Sequence, residues 1–422
     1  MYTGKRDDFF HSPGRLLPAI VALAVVLLAV GVFAALALRQ SSAQPPQPSQ
    51  TIPSLIPQTP SQVPSAQPTP APTPTPTPGP AERLLAEMTL HEKVCQLFVV
   101  QPSDLTGVAT VTAAGETTRQ ALERYPVGGL LYDASNLVSL SQTHTMLANT
   151  QSYSKIPLIL TCDEEGGRVN RLMHTIGTTY IGPMLDYKDQ GAETAAANAK
   201  TIATDMRFCG FNMDLAPVAD VWSNPDNTVI GDRAYSDDFE QAAQLVSAAV
   251  GGFHEGGVAC TLKHFPGHGD TSADSHYGSV YVYKTLDELR DAEFLPFQAG
   301  IDAGADAVMM GHLILPDIDD QPALMSHKIV TEILREELDF HGVVITDSLK
   351  MQAMTDHYGS GEIAVSAVQA GVDLLLSPQN LDEAVSALTQ AVESGAISQE
   401  RLDESVLRVL RLKINRGIIP AE

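Results

Sequence analysis

After Ala81 the chain carries eight short, nearly uninterrupted apolar runs separated by helix-like segments, and this pattern constrains the fold most. The runs are Leu97–Gln101, Gly128–Asp133, Leu158–Glu164, Met213–Asp220, Ala259–His264, Ala307–Leu313, Gly342–Asp347 and Asp373–Ser377. Strands apolar on both faces belong to parallel sheets covered on both sides. The segments between them read as helices. Phe239–Glu255 sets Ala242, Leu245, Val246, Ala249, Val250 and Phe253 on one face and stops at Gly256-Gly257. Thr89-Leu-His-Glu92 and Thr285-Leu-Asp-Glu288 have the spacing of capping boxes, and a last helix over about Glu400–Asn415 turns Leu402, Val406, Val409 and Leu410 inward. Eight strand–helix units in the part of the chain after residue 81 predict a single α/β domain, a (β/α)8 TIM-type barrel, over 82–422. A doubly wound open sheet is the alternative, but it gives no reason for eight strands.

The first 81 residues are of another kind. Leu16–Leu38 is a run of 23 residues without a charge, bracketed by Arg15 and Arg39. At ~1.5 Å per residue it reaches about 35 Å, enough to cross a bilayer as a transmembrane helix. Lys5, Arg6 and Arg15 precede it, so 1–15 is expected in the cytoplasm and the remainder outside. The rival is a cleaved signal peptide ending near Ala35-Leu36-Ala37, although the apolar run exceeds an ordinary signal core. Residues 41–80 hold 14 of the chain's 28 prolines and no charged side chain. A linker over 39–81 with that composition cannot bury a core and is expected to be disordered and extended.

The formal net charge of −24 disfavours nucleic acid as a partner. Cys95, Cys162, Cys209 and Cys260 are widely spaced, show no CxxC pattern and read as buried small hydrophobes rather than a disulfide framework.

Polar residues fall where a barrel would put chemistry. Asp163, Lys263-His264, His312 and Asp347 each end a predicted strand, and barrel active sites are built at that rim. The segment Lys263-His-Phe-Pro-Gly-His-Gly-Asp-Thr-Ser-Ala-Asp-Ser-His276 is a loop by its glycines and proline, with three histidines and two aspartates. Asp274 and His276 are two residues apart, so in an extended stretch both face the same way. A carboxylate beside an imidazole raises its pKa and suits it to proton transfer near neutrality. Two alternatives compete: a metal site from His264, His268 and His276, against which the adjacent Lys263 counts, and a purely structural knot. Asp347, ending Val343-Val-Ile-Thr-Asp347, is either a cap for the next helix or a catalytic carboxylate. Double displacement at a sugar needs a carboxylate on one face of the anomeric carbon and a proton donor on the other.

These blocks together resemble the bacterial β-N-acetylglucosaminidases of glycoside hydrolase family 3. The likeness rests on the 263–276 segment, Asp163-Glu-Glu-Gly-Gly-Arg-Val169, Gly231-Asp-Arg-Ala-Tyr-Ser-Asp-Asp238, Thr346-Asp-Ser-Leu-Lys-Met351 and Met88-Thr-Leu-His-Glu-Lys93. It implies Asp347 as nucleophile, His276 as general acid/base with Asp274 as its partner, and Asp163, Arg171, Arg233, Lys263 and His264 as sugar-holding residues. It further implies retaining, exo-acting hydrolysis of β-N-acetylglucosaminides without metal or organic cofactor. From an outside location, cell-wall fragments are the expected substrate, and the chain is expected to act as a monomer. Two departures stand out. Glu164 takes a place where the family often has Gln, and Tyr277-Gly-Ser-Val280 follows where a proline is common. Some relatives add a second α/β domain to the site, and the reading here is the single-domain form. Alternatives are a β-glucosidase or an N-acetylglucosaminide phosphorylase of the same family, or an inactive wall-binding barrel.

Overall fold

The computed structural model describes residues 78–271 and 278–420. The predicted cytoplasmic, anchor and linker segments up to residue 77, and the Asp274/His276 pair, lie outside the described residues. Among the described residues, no helix is long and apolar enough to cross a membrane.

The described residues form eleven strands: β1 Phe98–Val100, β2 Gly129–Leu131, β3 Ile159–Cys162, β4 Met213–Asp214, β5 Thr261–Phe265, β6 Val280–Tyr281, β7 Ala307–Met310, β8 Leu313–Leu315, β9 Asp319–Pro322, β10 Val343–Thr346 and β11 Leu375–Leu376. Seven of them lie inside the predicted apolar runs, and β5 runs one residue past its own. They pair in parallel in the orders β11-β1-β2-β3-β4 and β10-β7-β5. The bridges Met213↔Ala259 and Val218↔Lys263 join β4 to β5, and Ile345↔Leu374 joins β10 to β11. The ring therefore closes, and the α/β barrel read from the sequence is the observed architecture.

Alternation along the strands divides the core in two. Val99, Leu131, Ile159, Met213, Ala307, Met309, Val343, Ile345 and Leu376 fill the interior. Their neighbours Phe98, Val100, Leu130, Leu160, Leu262, Val308, Val344 and Leu375 pack outward against the helices. Both sets are fully buried, which is why the runs are apolar at every position. The helix Phe239–Gly256 has Asp238 as its N-cap, accepting from the Gln241 N–H, and Gly257 in the left-handed region at its end. Both expected capping boxes are formed, at Thr89/Glu92 and Thr285/Glu288. The last helix, Gln399–Asn415, places Val409 and Leu412 in the interior cluster. All four cysteines are buried and unpaired.

A small sheet of β6, β8 and β9 was not expected from the sequence. Gly311 and His312 interrupt the run Ala307–Leu313, so its end leaves the barrel and begins β8, which pairs with β6 and β9.

Candidate functional site

The C-terminal ends of the strands surround a cavity of about 540 Å³, within the size range of small-molecule sites. Asp163, Arg171, Arg233, Lys263, His264 and Asp347 all line it. Six sequence-predicted residues, drawn from β5 and the segments that follow β3, β4 and β10, are thus brought together.

Lys263 is the centre of the charged network. It is 2% exposed, and its Nζ lies 2.9 Å from Asp163 Oδ1 and 2.6 Å from Glu165 Oε1. Burial works against its charge, but the two carboxylates outweigh that and raise its pKa. Glu165 is held in turn by a two-pronged contact with Arg233, Nε and Nη2 each at 2.8 Å. Burial would raise the Glu165 pKa, yet Arg233 and Lys263 carry it well below the usual carboxylate range. Arg171 Nη2 donates to Asp163 Oδ2 at 3.2 Å, while its Nε lies 3.8 Å from Asp133. Gln101 donates to Asp133 at 2.5 Å and accepts from Lys350 Nζ at 3.0 Å. The wall thus holds Asp133, Asp163, Glu165 and Asp347 together with Arg171, Arg233, Lys263 and Lys350, the last ion-paired at 2.6 Å with Asp104. Carboxylates and cations balance, which favours a neutral ligand with many hydroxyls over a strongly charged one.

His264 is fixed from behind. Its Nδ1 lies 2.6 Å from Asp220 Oδ2, and Asp220 also accepts from the His264 N–H at 3.1 Å and the His268 N–H at 2.6 Å. Burial opposes ionisation of Asp220, but the His264 ring and these bonds lower its pKa. Asp347 is half-buried at the end of β10, with Oδ1 accepting from the Ser348 N–H at 2.6 Å. Burial again pushes its pKa up, and His312, His264, that N–H and Lys263 bring it down. His312 sits behind the same loop, with Nε2 2.8 Å from Ser348 O. Asp347 is therefore a carboxylate held ionised at neutral pH.

The loop after β5 leaves along a tightly fixed path. A Cβ on Gly269 would lie 1.6 Å from Val221 O, so only glycine fits there. Asn227 donates to the carbonyls of His268 and Gly269 at 2.7 and 3.1 Å, and Thr271 Oγ1 lies 2.8 Å from His268 Nδ1. Where the described chain resumes, Ser279 Oγ lies 3.2 Å from His357 Nε2, in the segment that follows Asp347. The two flanks of 272–277 are thus tied to the rim after β4 and the rim after β10.

Sequence reading passed over several residues of this site. Glu165 stands within the quoted 163–169 block, and Asp220 ends the fourth apolar run; each could have been found as an acidic residue at a strand end. Gln101 and Asp133 likewise end the first and second runs and Lys350 stands within the 346–351 block, but only barrel closure brings the three together. Glu164 turns away to organise the loop, accepting from the N–H groups of Arg171, Leu172 and Met173 at 2.6, 2.8 and 3.1 Å. The Gln-to-Glu departure therefore falls on a loop-holding side chain, not on the cavity wall.

Residues 89–412 match the family model for the glycosyl hydrolase family 3 N-terminal domain. The chain is 32% identical over 335 residues to beta-hexosaminidase A of Pseudoalteromonas piscicida, matching 72% of this chain and 56% of that protein. It is 36% identical over 293 residues to a beta-hexosaminidase of Stenotrophomonas maltophilia, matching 67% and 86% respectively. In three dimensions it is similar to the glycoside hydrolase family 3 beta-N-acetylglucosaminidase of Paenibacillus sp. str. FPU-7, with a TM-score of 0.75, 38% identity, and coverage of 79% and 64%. A match to the family model across most of the chain, together with the rim geometry, makes this protein a member of glycoside hydrolase family 3.

Proposed function

We propose that the chain is a retaining, exo-acting β-N-acetylglucosaminidase acting as a monomer. The carrying observation is the convergence of Asp347 with the Asp163–Lys263–Glu165–Arg233 network and Arg171 on one charge-balanced cavity. The names of the beta-hexosaminidase and beta-N-acetylglucosaminidase relatives support the same reading. Asp347, ionised and at the cavity wall, attacks the anomeric carbon to form a glycosyl ester. His276, assisted by Asp274 on the loop after β5, gives its proton to the leaving oxygen and then activates water for the second step. Asp163, Arg171, Arg233, Lys263 and His264 hold the ring hydroxyls and the acetamido group. Their mutual ion pairs fix the donors before substrate arrives, so less ordering remains in the transition state.

Residues 16–38 serve in this proposal as a membrane anchor. Residues 41–79 serve as an extended tether, on the order of 120 Å at ~3.1 Å per residue, that sets the barrel outside the membrane; the helix Pro80–Glu87 begins where it ends. Cell-wall glycan fragments are the natural substrate class there.

The test is turnover of aryl β-N-acetylglucosaminide against aryl β-glucoside by the full-length chain, with and without phosphate. Free N-acetylglucosamine in both buffers is expected. A glucoside preference, or a sugar phosphate as product, would replace this reading with a β-glucosidase or a phosphorylase. Protease protection of whole cells checks the topology: the barrel is expected to be digested from outside and residues 1–15 to be protected.

A further inference from the structure

At the opposite, N-terminal end of the strands, three potential ligands converge. His254 ends the helix before β5, Cys260 directly precedes β5, and Asp306 directly precedes β7. One side-chain atom from each lies within 4.8 Å of the other two. His254 Nε2 is 3.1 Å from Asp306 Oδ2 and 3.7 Å from Cys260 Sγ. A tetrahedral zinc ion with ordinary bond lengths separates its nitrogen and oxygen ligands by about 3.4 Å, and nitrogen and sulfur by about 3.5 Å. The two separations from His254 therefore already stand near zinc spacing, and the third ligand atom lies within reach.

The contacts of His254 conflict without a cation. Arg416 Nη2 lies 2.6 Å from the same Nε2, and its Nε lies 2.5 Å from Asp306 Oδ1. A guanidinium only donates, so that contact requires a lone pair on Nε2. The lone pair then faces the Asp306 carboxylate with no hydrogen between them. Protonating Nε2 satisfies Asp306 but opposes two donors at Arg416. A metal ion bound by His254 Nε2 and Asp306 Oδ2 satisfies the two facing lone pairs, provided that Arg416 moves aside. Arg416 meanwhile supplies, from just beyond the last helix, the positive charge that such an ion would supply.

We propose that His254, Cys260 and Asp306 form a zinc-binding site on the floor of the barrel, with Arg416 as the cation that zinc displaces. Binding turns the Cys260 thiol into a thiolate and releases its proton to solvent. The site fastens the starts of β5 and β7 to the end of the helix before β5. It is remote from the rim and does not depend on the activity proposed above.

The test is titration of the full-length, chelator-dialysed chain with Zn²⁺, and in parallel with Co²⁺. One equivalent of zinc and a near-ultraviolet sulfur-to-cobalt charge-transfer band are expected. Cys260→Ser and His254→Ala should remove the band and weaken zinc binding by about 100-fold, with secondary structure and aryl-glycosidase rate as checks of folding. Arg416→Gln should tighten binding, because it removes the competing charge. Absence of the sulfur–cobalt band from the folded parent chain overturns the proposal. So does unchanged zinc affinity in a folded Cys260→Ser variant, or weaker binding in Arg416→Gln.

Discussion

Both mouths of this barrel bury charge, and they do so differently. At the floor, Asp373 is fully buried and saturated: Arg335 at 2.5 Å, Arg408 at 3.2 Å, Arg401 at 3.6 Å, Ser405 Oγ at 2.6 Å and the Val344 N–H at 3.0 Å all address it. Two of those arginines and the serine come from the last helix, so the cluster bolts that helix to the strands. At the rim, Asp163, Glu165, Lys263, Arg171 and Arg233 are paired as closely, but the pairs border a cavity of about 540 Å³. The floor spends its charges on assembly; the rim arranges them around space for a ligand. Barrel enzymes in general separate stability and chemistry in this way.

Substitutions at the two ends should therefore fail differently. Asp347→Asn is expected to lower kcat on an aryl N-acetylglucosaminide by about 10⁴-fold or more, with little change in Tm. A large fall in Tm with the activity of the folded fraction intact would make Asp347 a helix cap instead. Asp373→Ala should do the reverse. It strands three arginines around an unpaired site and should cost about 3–5 kcal/mol in denaturant unfolding, while molecules folded at low temperature keep the parent's kcat and KM.

Acid should separate the ends less sharply. Asp220 at the rim and Asp373 at the floor both have lowered pKa values, after burial is outweighed by His264 in one case and by Arg335 and its neighbours in the other. A carboxyl with a depressed folded pKa contributes stability that is complete above its unfolded value, about 3.9, and is lost as pH falls through the folded value. Unfolding free energy should thus hold from neutrality to about pH 5 and fall below it, less steeply in Asp220→Asn and Asp373→Asn; equal steepness in both variants would refute the assignment.

Base should act on the floor through Lys413, buried there with Gln96 Oε1 as its partner at 2.7 Å. Burial lowers its pKa to about 7. Between that value and the unfolded value of about 10.4, the unfolded chain binds one more proton than the folded one. Stability should therefore climb as pH rises above 7, by up to about 1.4 kcal/mol per unit. Lys413→Met should abolish this climb, and a slope that survives the substitution would assign it to another group.

The eight strands were legible because burial on both faces leaves apolar residues at consecutive positions, a pattern few other folds demand. Asp163, Lys263, His264 and Asp347 were legible because each breaks such a run at its C-terminal end. The Asp373 cluster was hidden. Its arginines, Arg335, Arg401 and Arg408, look like helix surface charges until the helices pack. Gln101 and Asp133 also end apolar runs and could have been read in the same way; their joining with Lys350 followed only from closure of the barrel at the rim. The sheet of β6, β8 and β9 escaped because β8 continues an apolar run already assigned to the barrel. Asp274 and His276 were read from sequence alone.

The central claim is that Asp347 bonds covalently to the sugar during turnover. It is tested most directly by incubating the full-length chain with a fluorinated N-acetylglucosaminyl donor carrying a good leaving group, then digesting and weighing the peptides. The account predicts one added glycosyl residue on the peptide that contains Asp347, and none in Asp347→Asn. A label on Asp163 or Glu165, or rapid turnover by Asp347→Asn, would contradict it.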